Sequence, residues 1–275
     1  MNFLRSLRVT LMLIAGVIVI GGAFVLLKPP AHDSGGGSII VLCGGSMRGP
    51  MEEIVERYKT VSRGTVLTTY GDSGELCAQI KDTGRCDVFV CHDPFMEWAA
   101  KQKLIATWSA VGELELATAV PKGNPQQIHT LEDLTKPGLR LGVGNLQYST
   151  SGVIIKHLLN KLPFGEAIRN NIRNETKGHT ERCVDVAEGH LDAALTWSAV
   201  AKKFQDKLDI IPVPKEQIDA ISSATYGISD LKHVKVTVGV TTVSRGKEAV
   251  QRFYAYATES CGDIWKKHGF AGGAI

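Results

Sequence analysis

Two short turns, each rich in glycine and serine, carry the groups best suited to chemistry. The first spans residues 45–50 (GSMRGP) and contains Ser46, and the second spans residues 71–74 (GDSG) and contains Ser73. Each turn lies between a β-like run and a helix-like run, so its serine stands at the start of a helix. Helix starts expose backbone N–H groups and a partial positive charge. Two of them facing each other predict a site for a small anion.

Catalytic and metal sites are the competing hypotheses for these polar residues. The nucleophile motif G-x-S-x-G is absent, because residues 44–48 are GGSMR. No Ser/His/Asp arrangement is evident at a known spacing, so we predict that the chain is not an enzyme. Cys86 and Cys91 flank a predicted strand over residues 87–90 and would face opposite sides of it, which argues against a zinc chelate.

The composition is that of a globular protein with enough apolar residues for one core or two lobes. The chain has 275 residues, of which 44% are hydrophobic and 21% are charged, and its formal net charge is +3. This mild charge and the lack of a long basic run argue against nucleic acid as a partner. The six cysteines lack the spacing of a disulfide scaffold, so buried free thiols are expected. Cys77 and Cys86 are the nearest pair that could form a bridge.

Residues 1–36 are predicted to be an N-terminal targeting segment and linker. Arg5 and Arg8 precede an uncharged run, residues 9–27, that is long enough to span a bilayer. The arginines favour a cytoplasmic N-terminus and export of the rest. The run is long for a signal peptide and no A-x-A cleavage site follows it, which favours an uncleaved membrane anchor; a cleaved signal peptide is the alternative. Residues 28–38 (KPPAHDSGGGS) are typical of a flexible linker.

After the linker, strand-like and helix-like patterns alternate. Residues 39–43 form an apolar run typical of a buried parallel strand, and Met51, Ile54, Val55 and Tyr58 follow at helical spacing. Further strands are predicted over residues 66–70, 87–90, 114–120, 140–143, 193–197, 208–213 and 234–240. Further helices are predicted over residues 75–81, 94–101, 153–162, 181–188, 199–204 and 249–257.

This alternation predicts an α/β fold in which a mostly parallel sheet is flanked by helices on both faces. The chain length and the Pro/Gly-rich residues 121–125 (PKGNP) predict two such lobes joined by a crossover. The first lobe is predicted to comprise residues 37–120 and 230–275, and the second residues 121–229. Ligands of open α/β sheets bind beyond the carboxyl ends of the strands, which is where both serine turns lie.

Six blocks of the sequence, taken together, are typical of one family. They are GGSMRGPMEEIVERYK, GDSGELCAQI, CDVFVCHDPFMEWAAKQKLI, LGVGNLQYSTSG, DAALTWSAVA and IWKKHGF. In this order and at these distances they resemble the periplasmic molybdate-binding proteins, the ModA-like branch of type II solute-binding proteins. The resemblance extends over about residues 39–270 and implies the two-lobed type II periplasmic-binding-protein fold.

The resemblance also implies a site in which donors from both lobes surround a tetrahedral oxyanion. Ser46 and Ser73 would supply hydroxyl and amide donors from the first lobe. Ser151 would supply an amide at a helix start, and the next amide falls near His179 or Thr180. No catalytic residue, no cofactor and no metal beyond the oxyanion itself is implied.

Three residues depart from the family pattern and leave the identity of the anion open. Trp197 occupies the position of the family's ligand tyrosine but offers only an indole N–H. Arg48 and Asp72 place charges beside the two serines, where the pattern is neutral. They would pair across the mouth of the cleft, or Arg48 would contact the anion directly. The implied ligand is molybdate or tungstate, with sulfate and phosphate as alternatives.

The resemblance further implies that the lobes close on the ligand and then deliver it to an ABC-type permease. The protein would be periplasmic or extracytoplasmic, held at the inner membrane by residues 9–27 or released after cleavage. It is expected to be a monomer whose partners are a small oxyanion, the permease and the membrane. A membrane-anchored anion sensor is the alternative, because the same fold and anchor suit signalling.

Overall fold

The computed structural model describes residues 37–147, 149–176, 178–214 and 234–270. Residues 1–36, which hold the predicted targeting segment, lie outside the described residues, so both the membrane anchor and the cleaved signal peptide stay predictions. Within the described ranges, no helix is both long and apolar enough to cross a membrane.

The strands of these ranges form two sheets of five strands each. They are β1 (Ile39–Gly44), β2 (Val66–Gly71), β3 (Val88–His92), β4 (Ile105–Leu114), β5 (Leu116–Pro121), β6 (Leu141–Gly144), β7 (Ile172–Thr176), β8 (Ala193–Trp197), β9 (Leu208–Pro212) and β10 (Val234–Thr241). The first sheet has the order β2-β1-β3-β10-β4, and the second has the order β7-β6-β8-β5-β9. We call the parts of the chain built on these sheets the first lobe and the second lobe.

Within each sheet, four of the five strands run in the same direction. In the first sheet β1 is parallel to β2 and β3, whereas β10 lies antiparallel between β3 and β4. In the second sheet β6 is parallel to β7 and β8, and β5 lies antiparallel between β8 and β9. These directions confirm the predicted α/β fold with two mostly parallel sheets.

Helices connect the strands and cover the sheets. In the described ranges they are α1 (Arg48–Lys59), α2 (Ser73–Thr83), α3 (Phe95–Lys101), α4 (Thr150–Lys161), α5 (Gly165–Arg169), α6 (His179–Ala187), α7 (Ser198–Ala201), α8 (Glu248–Glu259) and α9 (Gly262–Lys267). Helix α1 buries Met51, Ile54, Val55 and Tyr58, the face predicted from their spacing. Most of the other predicted elements are also confirmed, to within a few residues at their ends.

Three strands differ from the prediction. Neither β4 nor β7 is predicted from the sequence. Exposed positions interrupt β4, and half-buried and exposed positions alternate in β7, so neither strand shows a clear apolar pattern. The strand predicted to end the first lobe is β5, which pairs with β8 and β9 of the second sheet instead. The chain therefore changes sheets at Glu115 rather than after Val120. The sequence could not predict this, because an apolar run indicates a buried strand without specifying which strands it pairs with. The other lobe boundaries stay predictions.

All six cysteines are buried and free. Cys77 and Cys86 therefore form no disulfide, and the expectation of buried free thiols is confirmed. Burial raises the pKa of Cys77 and of Cys183 to about 11. Because the thiolate is the reactive form of cysteine, these side chains are unreactive at neutral pH while the protein is folded.

The turn that begins α4 leaves no room for a side chain at Gly152. A Cβ built there would lie 1.9 Å from the carbonyl oxygen of Asn145 and 2.7 Å from that of Gly144. We expect Gly152→Ala to lower the free energy of unfolding by about 2 kcal/mol or more, because backbone atoms must move. Urea unfolding measures the change. The control is Gly246→Ala, whose Cβ meets nothing within 4 Å, and equal stabilities of the two variants would contradict the expectation.

Candidate functional site

A cleft of about 630 Å³ lies where several strands end and helices begin. Its polar lining comes from both lobes and includes Ser46, Arg48, Asp72, Ser73 and His92 of the first lobe and Ser149, Thr150, His179 and Thr180 of the second. The cleft thus brings together most of the residues that the sequence analysis names. Ser151 and Trp197 do not line it, and the ligand role of every one of these residues stays a prediction.

The first lobe offers two serines at helix starts. Ser46 lies in a single 3₁₀ turn between β1 and α1, and no side chain caps the start of α1. Ser73 is the first residue of α2, is only 3% exposed, and its hydroxyl has no hydrogen-bond partner among the described residues. A Cβ at Gly44 would lie 2.5 Å from Ser73 Oγ, so glycine is needed for this approach. Within the described part of the chain, the Ser73 hydroxyl thus lacks a partner and the start of α1 lacks a side-chain cap, so both can donate to a ligand.

The two charged residues beside these serines do not pair with each other. The Arg48 guanidinium lies 4.3 Å from the centroid of the Tyr70 ring and 3.7 Å from the carboxylate of Glu52. The Asp72 carboxylate caps α2 by accepting a hydrogen bond of 2.9 Å from the Gly74 amide. The structure thus shows no ion pair between these two described residues, and the alternative that Arg48 contacts the anion directly stays a prediction.

In the second lobe, Ser149 and Thr150 reach the cleft and Ser151 lies behind them. Ser149 caps α4, because its hydroxyl accepts a hydrogen bond of 3.0 Å from the Gly152 amide. Ser151 is fully buried, and its Oγ is 3.5 Å from His179 Nε2. A Cβ at Gly144 would lie 2.5 Å from the hydroxyls of both Ser149 and Ser151. The close approach of a serine to the glycine that ends a strand is thus present in both lobes.

His179 is held as a neutral hydrogen-bond donor. It is the first residue of α6, whose start has no side-chain cap. Its Nδ1 lies 2.7 Å from Arg182 Nη2 and 3.1 Å from Thr196 Oγ1. A guanidinium can only donate, so Nδ1 accepts and the ring proton is on Nε2. Burial and the Arg182 charge hold the pKa of His179 well below its usual range.

Trp197 lies behind the cleft rather than in its wall. It ends β8, is 1% exposed, and its indole Nε1 has no hydrogen-bond partner among the described residues. The His179 ring stacks on it at 5.5 Å between centroids, and the His92 ring meets it edge-on at 6.0 Å. Two imidazoles that line the cleft thus pack against this indole, at a position where the resemblance implied a direct ligand.

His92 is a cleft residue that is not among those predicted from the sequence. It is the last residue of β3, is 6% exposed and lines the cleft. Its Nδ1 lies 2.9 Å from the carbonyl oxygen of Asp93, so Nδ1 donates and the neutral ring presents a lone pair at Nε2. Burial lowers its pKa. Its place at the carboxyl end of a strand is the signal that could have identified it.

Metal binding by the protein's own side chains has no support in the described residues. They contain no group of three or more His, Cys, Asp or Glu side chains arranged to hold a metal ion. The cleft instead combines amide and hydroxyl donors, two imidazoles of opposite hydrogen-bonding polarity, and the charged side chains of Arg48, Asp72, Glu75 and Glu181.

Residues 39–271 match the family model for bacterial extracellular solute-binding proteins, which covers nearly all of the described chain. The chain belongs to this family. Its members are binding proteins rather than enzymes, which confirms the prediction on catalysis, and they act outside the cytoplasm. Whether this solute-binding protein is tethered to the membrane and whether it is monomeric stay predictions.

Individual relatives agree with this assignment. The molybdate-binding protein ModA of Mycobacterium tuberculosis is 27% identical over 212 residues, which are 75% of this chain and 78% of the relative. Among solved structures, the periplasmic molybdate-binding protein of Azotobacter vinelandii aligns with a TM-score of 0.69 at 15% identity, covering 86% of this chain and 100% of its own. The sulfate-binding protein SubI of M. tuberculosis aligns with a TM-score of 0.66 at 15% identity, covering 85% and 86%. At this identity the structural likeness shows the fold alone.

The lowered pKa of His92 makes folding stability depend on pH. The unfolded chain binds a proton near the ordinary histidine pKa of about 6.5, and folded His92 binds it only at a lower pH, so stability falls as the pH drops below that value. We expect His92→Gln to reduce the loss of stability between pH 7.5 and pH 5.5, because the variant lacks the imidazole that takes up a proton on unfolding. Urea unfolding at both pH values measures it. The exposed His129→Gln should leave the loss unchanged, and an unchanged loss in His92→Gln would contradict the expectation.

Proposed function

We propose that the cleft captures a tetrahedral oxyanion, molybdate or tungstate in the first place, and that the protein delivers it to an ABC-type permease. The observation that carries the proposal is the convergence of helix starts from both lobes. Ser46 and Ser73 approach from one side, and Ser149 and His179 from the other. The names of the molybdate-binding relatives support the choice of anion.

A dianion that enters this cleft loses water, and many donors must replace that water. The starts of α1 and α6 have no side-chain cap, and the Ser73 hydroxyl has no partner among the described residues. Backbone N–H groups can only donate, and the hydroxyl can turn its proton towards a ligand, which suits molybdate because all of its oxygens are deprotonated at neutral pH. The size of the closed cleft would then separate molybdate and tungstate from the smaller sulfate.

A second candidate is an oxyanion that carries a proton, such as hydrogen phosphate. Acceptors in the cleft lining favour it: these are the carboxylates of Asp72, Glu75 and Glu181 and the lone pair of His92 Nε2. Molybdate and sulfate have no proton to donate to these acceptors, whereas hydrogen phosphate has one. The relative affinities for the two classes of anion therefore decide between the candidates.

The donor set is tested by calorimetric titration of the exported part, starting at Gly35, with molybdate, tungstate, sulfate and phosphate. We expect one anion to bind in a one-to-one complex. The double variant Ser46→Ala, Ser73→Ala should weaken this binding about a hundredfold, because two donors to a charged ligand are lost. The exposed Ser260→Ala is the control. Binding of none of the four anions by the wild type would contradict the proposal.

The acceptor role of Asp72 is tested by Asp72→Asn. The amide oxygen can still cap α2, so the helix start is kept while the negative charge is removed. We expect the affinity for molybdate and sulfate to rise about tenfold and the affinity for phosphate to fall, as measured by the same titrations. A parallel change for all four anions would show that Asp72 does not discriminate between protonated and deprotonated ligands.

A further inference from the structure

Arg182 is a buried cation that the proposed donors leave without a role. Its side chain, in α6, has no exposed surface. Nη1 donates to Thr176 Oγ1 at 2.9 Å and to the carbonyl oxygens of Thr176 at 3.1 Å and Val143 at 3.4 Å. Nε has no partner, and no carboxylate of the described residues forms an ion pair with this guanidinium.

Such a charge is expensive to bury. Arginine is almost never fully buried unless it is paired, because removal of an ion from water costs several kcal/mol. Carbonyl and hydroxyl oxygens satisfy some of its N–H groups but do not neutralise its charge. Burial lowers the pKa of Arg182 to about 10, so the side chain is still protonated at neutral pH. No described carboxylate therefore forms an ion pair that neutralises this charge, although the neighbouring Glu181 acts on it electrostatically and raises its pKa.

Among the described residues that line the cleft, the guanidinium forms a hydrogen bond with His179. Nη2 donates to His179 Nδ1 at 2.7 Å, and the same ring lines the cleft. The opposite ring nitrogen carries the proton and lies 3.5 Å from Ser151 Oγ, the outer limit of a hydrogen bond. Among the described residues, the Nε2–H group of His179 therefore makes at most one weak hydrogen bond and can donate to a ligand.

We propose that Arg182 is the positioning residue of the anion site. Its guanidinium holds His179 as an Nε2–H donor. Its positive charge is compensated by a divalent oxyanion bound on the other side of the imidazole ring. This inference rests on the proposed function. A neutral imidazole between a cation and an anion is polarised by both, which strengthens its N–H as a donor. The start of α6 adds partial positive charge at the same place.

Two variants separate the charge of Arg182 from its geometry. Arg182→Met removes the charge at similar volume, and we expect it to weaken molybdate binding at least about tenfold. Arg182→Lys keeps the charge but loses the planar fork, so its affinity should be intermediate. The control is Arg173→Met, because Arg173 is exposed and donates to the carbonyl oxygens of Asn170 and Ile172. Perrhenate, a monovalent tetrahedral anion, should lose less affinity than molybdate in Arg182→Met.

The tautomer of His179 gives a readout that needs no ligand. Long-range ¹H–¹⁵N NMR of the ligand-free protein should show the proton of His179 on Nε2. In Arg182→Met the ring should shift towards the Nδ1–H form, which can donate to Thr196 Oγ1. Should that variant fail to fold, Arg182→Lys and the wild-type spectrum carry the test.

The outcomes distinguish this inference from the proposed function. If the wild type binds none of the anions, the proposed function fails, and the tautomer alone decides whether Arg182 orients His179. Wild-type affinity for molybdate in Arg182→Met would overturn the inference, and so would a wild-type His179 protonated on Nδ1. Equal losses for molybdate and perrhenate would overturn the part that concerns charge.

Discussion

The cleft depends on a close approach between backbone and hydroxyl that only glycine permits. Gly44 ends β1 and Gly144 ends β6, and each of these strands is second in the order of its sheet. A Cβ at either position would overlap a serine oxygen, that of Ser73 or that of Ser151. Because the side chain is absent, helix starts lie close to the strand ends, and N–H groups of both lobes face one cavity. In both lobes, a glycine at the end of a strand leaves room for a serine hydroxyl at the start of a helix.

The hydrogen-bonding groups that the cleft presents are determined by buried neighbouring residues rather than by the net charge of the chain. His179 and His92 both line the cleft and both contact the Trp197 ring, yet they present opposite hydrogen-bonding groups. Arg182 and the Asp93 carbonyl set these two tautomers. The cleft therefore combines donors with acceptors, and the choice of anion depends on that balance.

Much of the fold could be predicted from the sequence, because apolar spacing and glycine turns are local signals. The periodicity of α1 and the buried run of β8 are examples that the structure confirms. The partners of β5 could not be predicted, since burial does not specify pairing. In the site, Ser46 and Ser73 could be proposed from their turns. The pairing of Arg182 with His179 could not, because three residues of spacing on a helix permit a contact without showing that it is buried.

The free thiols set a condition on how the protein reaches its folded state. All six are inert only because the native core covers them. A chain of this family is translocated to a compartment that favours oxidation, and until the core forms its cysteines are accessible and titrate normally. Folding of the core therefore competes with the formation of non-native disulfides among six exposed thiols. A mutation that slows folding lengthens the time in which such disulfides can form.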